Sequence, residues 1–96
     1  LQAGKLAVDT ESKTASVDGQ DLVLTAKEYG ILELLMRYPH KVFSKANLFE
    51  SIWNEEYVCE DNTLNVHMSN LRNKLKAADP ETEYIKTVWG MGYRMN

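Results

Sequence analysis

A single helical period covers the segment from Asn62 to Ala78, and it constrains the fold more than any other feature of the chain. At 100° per residue, one narrow face of this helix carries the apolar residues Leu64, Met68, Leu71 and Leu75. The opposite face carries Asn62, Val66, Ser69, Asn70 and Asn73. Between Asn62 and Ala78 the chain contains basic residues and no acidic ones. The pattern predicts a helix at about 61–77 that is anchored by one side and presents amides on the other.

A β-hairpin is predicted directly after this helix. Pro80 ends the helical pattern, because proline cannot continue a helix. The segments 84–89 and 92–95 have strand composition, and Gly90-Met91 between them suits a two-residue turn. A polar-faced helix followed by a hairpin at 85–95 indicates a recognition helix with a wing, the arrangement of a DNA reader.

The N-terminal residues predict a small antiparallel sheet. Residues 5–9 and 14–17 alternate in polarity, and residues 20–24 are rich in β-forming side chains. Asp18-Gly19 between the last two runs is a strong signal for a two-residue hairpin turn.

Two further helices are predicted before the recognition helix. Thr25 and Glu28 have capping-box spacing, and the helix that they begin ends near Arg37 or Tyr38, before Pro39. Val42-Phe43 is a strand fragment at most. Ser44 then caps a second helix from Lys45 to about Trp53. Residues 54–60 have no clear period and, with Asp61, four acidic residues, so they are expected to form a loop. Asp61 is expected to cap the third helix.

Charge is distributed unevenly along the 96 residues, whose net charge is −3. Residues 1–61 contain six Lys or Arg and eleven Asp or Glu, whereas residues 62–96 contain five and three. Positive charge is therefore concentrated where the helix and hairpin lie. Acidic residues elsewhere weaken the long-range field without preventing close phosphate contacts, so we expect weak non-specific DNA binding.

The composition narrows the possible classes of protein. No apolar run approaches the roughly 18 residues that a membrane span needs. Cys59 is the only cysteine, so no internal disulfide can form, and a cytoplasmic protein is expected. His40, Cys59 and His67 lack metal-ligand spacing, and we predict no metal and no cofactor.

Three motifs together resemble the OmpR/PhoB class of response-regulator effector domains. They are residues 24–29 (LTAKEY), residues 60–63 (EDNT) with Val66-His67 and Leu71-Arg72, and residues 86–94 (KTVWGMGYR). The resemblance covers nearly the whole chain. It implies an α+β fold, a winged helix-turn-helix with an N-terminal antiparallel sheet, a three-helix core and a C-terminal hairpin wing. Residues 1–96 would form one effector domain, whose start at Leu1 without Met is consistent with excision from a phosphorylated receiver domain.

The outer helix face suits base reading. An Asn amide can pair bidentately with adenine, and the Val66 methyl groups can pack against a thymine methyl. Family members often carry arginine where this chain has Ser69 and Asn70. We therefore expect a site rich in A·T pairs, with base-reading residues Asn62, Val66, Ser69, Asn70 and Asn73; a solvated helix face is the alternative for the polar ones.

The resemblance also implies contacts to the DNA backbone. The matching positions are Trp53, Thr63, His67, Arg72, Thr87 and Tyr93. Trp53 is equally consistent with a core residue, and His67 with a hydrogen bond inside the fold. Lys74 and Lys76 are expected to be solvated.

The wing would lie at the minor groove with Trp89 and Arg94. Trp89 occupies a place where family members frequently have arginine, and we expect it to brace the hairpin or pack in the core.

Protein partners follow from the same resemblance. The acidic loop corresponds to the family's RNA polymerase contact, here Glu55, Glu56, Tyr57 and Glu60; a solvated loop is the alternative. The domain is expected to be monomeric alone and to bind direct-repeat half-sites of double-stranded DNA as a tandem dimer.

Two competing functions remain open from the sequence. A winged-helix module that binds a protein through the same surface would account for the net acidity and the missing arginines. An enzyme is disfavoured, because the chain has no Gly-rich phosphate loop, no nucleophile elbow and no acid/base pair that suggests a pocket.

Overall fold

The computed structural model describes residues 1–58 and 62–96. In chain order their elements are β1 (Gln2–Ala3), β2 (Leu6–Asp9), β3 (Thr14–Val17), β4 (Gln20–Leu22), α1 (Ala26–Arg37), α2 (Lys45–Trp53), α3 (Thr63–Ala78), β5 (Ile85–Val88) and β6 (Gly92–Met95). This confirms the predicted α+β winged-helix architecture. None of the helices in the described ranges is long and apolar enough to cross a membrane.

The N-terminal sheet is antiparallel, with strand order β1-β2-β3-β4. Asp18 and Gly19 both have positive φ, 52° and 82°, which confirms the predicted two-residue hairpin. Strand β1 was not predicted, because two residues are too few to show a period. Strand β4 ends at Leu22, two residues before the predicted end, and Val23 is exposed. One face of the sheet buries the alternating residues Leu6, Val8, Ala15 and Val17.

Helix α1 begins with the predicted capping box. Thr25 Oγ1 accepts from the Glu28 N–H at 3.2 Å, and Glu28 Oε1 accepts from the Thr25 N–H at 3.0 Å. The helix ends at Arg37, as Pro39 requires. Its inner face buries Ile31, Leu32, Leu35 and Met36 against the rest of the core.

Helix α2 has the predicted bounds. Ser44 Oγ accepts from the Asn47 N–H at 3.1 Å and caps its start. Asn54 ends the helix in the left-handed conformation, at φ 55°, and its N–H donates to the Glu50 carbonyl.

The predicted strand fragment before α2 is a single β-bridge between Phe43 and Tyr93, with N···O distances of 2.8 and 2.9 Å. Gly92, next to this bridge, has a φ of 140°, and a Cβ there would lie 1.9 Å from the Phe43 carbonyl oxygen. The hairpin is therefore fixed, close to its loop, against the connection between α1 and α2.

Helix α3 begins at Thr63, two residues after the predicted start at about 61. Asn62 is its N-cap and makes no side-chain capping bond, and Asp61, which was expected to cap the helix, lies outside the described residues. The helix ends at Ala78, where the Asp79 N–H donates to the Leu75 carbonyl at 2.9 Å. The four apolar residues predicted for its inner face are all buried. They pack α3 against α1 and α2.

The wing turn differs from the prediction. Val88 is opposite Gly92, so the loop has three residues, Trp89, Gly90 and Met91, and the predicted two-residue turn is wrong. The Met91 N–H donates to the Val88 carbonyl at 3.0 Å, while Gly90 adopts a φ of 77°. Glycine adopts positive φ without steric cost, so Gly90 allows the three-residue loop to connect β5 and β6.

Candidate nucleic-acid interface

The outer face of α3 is exposed along its length. Val66 has 50% of its surface exposed, although it is a large apolar residue. The four polar residues that were predicted to read bases are also exposed, and they lie on the same side of α3 as Val66: Asn62, Ser69, Asn70 and Asn73. The structure therefore brings all five residues together on one solvent-facing surface, which we call the amide face.

A hydrogen bond between two amides organises the start of this face. Asn65 Nδ2 donates to Asn62 Oδ1 at 2.9 Å. Sequence reasoning did not select Asn65, although its i, i+3 spacing from Asn62 was a usable signal. The bond occupies the Asn62 acceptor, so Asn62 retains donors for a ligand. The side chains of Asn70 and Asn73 make no hydrogen bond to the described residues and keep both an acceptor and donors.

Arg72 connects one flank of α3 to the wing. Its Nη2 donates to the Ile85 carbonyl at 3.0 Å and to Thr87 Oγ1 at 2.8 Å. Its guanidinium carbon lies 5.2 Å from the centroid of the Tyr93 ring. Three residues that were predicted to contact the DNA backbone, Arg72, Thr87 and Tyr93, thus converge at one junction. The two oxygens that accept from Arg72, the Ile85 carbonyl and Thr87 Oγ1, are neutral, so these contacts do not cancel the arginine charge.

Lys74 connects the other flank of α3 to α1. Its Nζ donates to Glu28 Oε1 at 2.6 Å, and Glu28 is only 2% exposed. The expectation that Lys74 is merely solvated is therefore wrong. Sequence reasoning missed the pair because 46 residues separate its members.

The pKa of Glu28 reflects this pairing. Burial alone would raise it, but the hydrogen bonds from Lys74 and the Thr25 N–H, together with the Lys74 charge, outweigh burial and lower the pKa below its ordinary value of 4.5. Glu28 is consequently ionised at neutral pH. Its negative charge cancels the positive charge of Lys74. The partners of Arg72, in contrast, are neutral and cancel no charge.

Trp53 and His67 lie in an aromatic cluster on the Lys74 side. The Trp53 ring stacks on Phe49, with centroids 4.9 Å apart, and Lys27 Nζ lies 5.2 Å from the Trp53 centroid. Trp53 is half-buried, so it packs in the cluster and remains partly exposed.

His67 contacts the edge of Trp53, with ring centroids 5.2 Å apart. Its Nδ1 is buried without a hydrogen-bond partner among the described residues, so the expected alternative of a bond inside the fold is not supported. Thr63, in the first turn of α3, is half-buried.

The loop after α2 is acidic and mostly exposed. Glu55 and Glu56 are exposed, whereas Tyr57 is half-buried, with its ring edge against Phe49 at a centroid distance of 5.6 Å. The Tyr57 N–H donates to Glu50 Oε2 at 3.3 Å. Glu60 lies outside the described residues.

The wing carries Trp89 in the loop at its tip. Trp89 is 91% exposed, so the expectation that it braces the hairpin or packs in the core is wrong. The third loop residue moves Trp89 out of the strand and beyond the end of the sheet. Arg94 is half-buried and faces Lys86 across the hairpin.

The described ranges contain no group of three or more His, Cys, Asp or Glu residues that could hold a metal ion.

Known proteins resemble this chain in both sequence and structure. The family model for the C-terminal domain of transcriptional regulatory proteins matches residues 19–95. The chain belongs to this family. The family consists of transcription-regulator domains and is not an enzyme family.

Individual relatives agree with the family match. The chain is 41% identical over 95 residues to the uncharacterized transcriptional regulatory protein YcbL of Bacillus subtilis, covering 99% of this chain and 42% of YcbL. It therefore spans about two fifths of the length of this curated relative.

Solved structures agree as well. The DNA-binding domain of CpxR from E. coli superposes with a TM-score of 0.88 at 33% identity, over 99% of this chain and 93% of CpxR's. The DNA-binding domain of the response regulator AdeR, solved in complex with an intercistronic region, superposes with a TM-score of 0.86 at 28% identity, over 100% and 98% of the two chains. The predicted membership of the OmpR/PhoB class is confirmed.

Proposed function

We propose that this domain reads double-stranded DNA as the output domain of a two-component response regulator, with α3 in the major groove and the wing at the minor groove. Sequence-specific DNA binding for transcription regulation is the function that the family and its DNA-bound members support. One observation carries the residue assignments. The amide face is exposed and apolar only at Val66, while both flanks of the same helix are bonded to the scaffold.

Base reading belongs to the amide face. Asn70 and Asn73 each keep an acceptor and donors, which is what bidentate pairing with adenine N6 and N7 requires. Val66 would pack against a thymine methyl, and Ser69 would bond either base of a pair. The Asn62 and Asn65 pair would offer donors to acceptor atoms such as thymine O4. A binding site rich in A·T pairs follows.

Backbone contacts belong to the flanks and the wing. Arg72 keeps its full charge because its partners are neutral, and it lies between the amide face and the hairpin. Thr87 and Tyr93 lie beside it and would complete the phosphate contacts on this flank. On the other flank the contacts would come from Thr63, His67 and the partly exposed Trp53. Such contacts set the position of the domain without reading sequence.

The larger assembly is part of the same proposal. Two copies would bind direct repeats about 10 to 10.5 base pairs apart, because that spacing places both recognition helices on one face of the DNA. The isolated domain would be monomeric and would act in the cytoplasm, joined to its receiver domain in the full-length protein. The exposed Glu55 and Glu56, with Tyr57 and Glu60, would contact RNA polymerase.

Selection from a randomised duplex library tests the base-reading assignment. The wild-type chain should enrich an A·T-rich half-site. Asn70→Ala should relax preference at one position, by about 1 to 3 kcal/mol, and leave the others unchanged. The matched control is Gln2→Ala, which removes an exposed amide from the N-terminal sheet and should not alter the selected sequence.

Two outcomes would contradict the proposal. If Asn70→Ala selects the same sequences as the wild type, Asn70 does not read a base. If duplex binding shows no steep fall with added salt, phosphate contacts are absent, and the surface instead serves a protein partner.

A further inference from the structure

The tip of the wing is apolar and exposed. Trp89 is 91% exposed and Met91 is 63% exposed, and the two flank Gly90 in the three-residue loop. Trp89 makes no ring contact and no hydrogen bond with the described residues. Neighbouring large apolar side chains at a hairpin tip contribute nothing to the core. Such a pair marks a surface that is covered when a partner binds.

The position of this tip relative to α3 is set by the fold. Close to its loop, the hairpin is bonded through Tyr93 to Phe43, and Gly92 permits the close approach of the two segments. Arg72 fastens β5 to the flank of α3 through the Ile85 carbonyl and Thr87. The tip therefore extends the surface that runs from the amide face across Arg72, and a ligand on the amide face would continue onto it.

The charge around the tip indicates the chemistry of that ligand. From Tyr84 to Asn96 the chain contains Lys86 and Arg94 and no acidic residue. These two cations are cross-strand partners on the outer face of the hairpin. Like charges in that position repel each other unless an anion lies nearby. An apolar tip near cations that have no ion-pair partner among the described residues suits a polyanion that can also take apolar side chains between its base steps, which describes duplex DNA.

We propose that Trp89 and Met91 form an apolar wedge that enters the minor groove beside the half-site and selects a flexible pyrimidine–purine step there. The proposal rests on the proposed function. A cation in this place would favour the narrow, strongly negative groove of A-tracts, but an indole has no charge to gain from it. Apolar wedges instead partly unstack a base step, which is easiest at TA and CA/TG steps.

This contact would select sequence without hydrogen bonds to bases. It would also add affinity that hardly depends on salt, because no counterion is released when an indole binds. Base preference would then have two sources in this chain, amides at the centre of the half-site and DNA deformability at its flank.

Library selection with three proteins tests the wedge. The wild-type chain should enrich pyrimidine–purine steps at one flanking position, by roughly tenfold over other steps, because these steps cost the least to unstack. Trp89→Ala should lose this flanking enrichment and keep the central one. Trp89→Arg should shift the flank toward A-tracts and steepen the dependence of log affinity on log salt by about one unit.

A spectroscopic readout does not depend on selection. The chain has two tryptophans, so 5-fluorotryptophan labelling gives two fluorine resonances, and Trp89→Ala identifies the one from Trp89. Addition of a duplex taken from the wild-type selection should shift the Trp89 resonance and remove its sensitivity to D₂O, because the indole leaves water.

The outcomes separate this inference from the function on which it rests. If the wild-type chain enriches no sequence at all, the proposed function fails. If it enriches a central site while Trp89 keeps its solvent-exposed resonance and Trp89→Ala selects the same flank, the wedge alone is overturned and the apolar tip serves a protein partner.

Discussion

The two flanks of α3 each carry a cation that reaches back to the scaffold, but the partners of these cations differ. Arg72 donates to neutral oxygens of the wing, the Ile85 carbonyl and Thr87 Oγ1. Lys74, two residues later, donates to the carboxylate of Glu28, which is buried. The first contact leaves the positive charge of Arg72 uncancelled, and the second neutralises the charge of the partly exposed Lys74 against a buried carboxylate.

The difference shows that the charge of a residue and its availability are separate properties. Both residues are basic members of one helix, yet only Arg72 can add to an attractive potential for phosphate. Lys74 instead fixes how α3 lies against α1. Arg72 would therefore attract phosphate, while Lys74 holds the helix that reads the DNA.

Lys74→Met should have the largest effect on folding. It leaves the Glu28 carboxylate buried without its partner, which should reduce the free energy of unfolding by about 2 kcal/mol, less than for a fully buried pair because Lys74 is partly exposed. Urea unfolding measures this loss. The matched control is Lys76→Met, an exposed residue of the same helix, which should change stability little. Equal losses in the two variants would remove the distinction between the flanks.

Arg72→Ala should affect stability less and DNA binding more. Losing two partly exposed hydrogen bonds should reduce the free energy of unfolding by about 1 kcal/mol. Affinity for every duplex should fall, and the slope of log affinity against log salt should decrease by about one unit. Lys13→Ala, which removes a cation paired with Glu33 on the N-terminal side, should leave the slope unchanged. A normal slope for Arg72→Ala would mean that Arg72 only positions the wing.

Low pH should remove the stabilisation that the ionised Glu28 provides through its contact with Lys74. Because the pKa of Glu28 is lowered by folding, its stabilising contribution is fully present above the unfolded value of 4.5 and is lost as the pH falls through the lower folded value. Glu28→Gln keeps an acceptor for the Thr25 N–H but has no charge. The stability difference between wild type and Glu28→Gln, measured by urea unfolding, should therefore narrow below about pH 4.5. A difference that stays constant down to pH 2 would exclude an ionised, stabilising Glu28.

Thr87→Val should have the smallest effect. It removes one acceptor from Arg72 while keeping the shape of the side chain, so a loss of about 0.5 kcal/mol is expected. The salt slope should remain that of the wild type, because the charge on Arg72 is retained. A slope reduced as far as in Arg72→Ala would show that Thr87 orients the guanidinium toward the phosphate.

Local signals predicted most of the helices. The capping box at Thr25 and Glu28, the Ser44 cap and Pro39 each act within four residues of the boundary that they set, so the bounds of α1 and α2 could be predicted from the sequence alone. The inner and outer faces of α3 follow from a period of 3.6 residues, which is also local. The wing loop was predicted one residue too short, since composition does not determine the register of a hairpin.

Side-chain pairings across the fold could not be predicted in the same way. Glu28 was correctly assigned to the cap of α1, but a carboxylate can accept several hydrogen bonds, and nothing near it in the chain indicates that Lys74 supplies one. Trp89 was expected to brace the hairpin or pack in the core because an indole lacks the positive charge that a narrow minor groove attracts. Its exposure depends on the three-residue loop that carries it past the end of the sheet.

The sequence by itself determined the class of fold, the family and the amide face, because caps, periods and motifs are properties of neighbouring residues. Only the tertiary structure decided which charges remain available. That property depends on whether the atoms around a cation are neutral or charged, and those atoms come from distant parts of the chain. In the sequence, Arg72 and Lys74 are both basic residues of one helix, and only the folded domain shows that the charge of Lys74 is neutralised by Glu28.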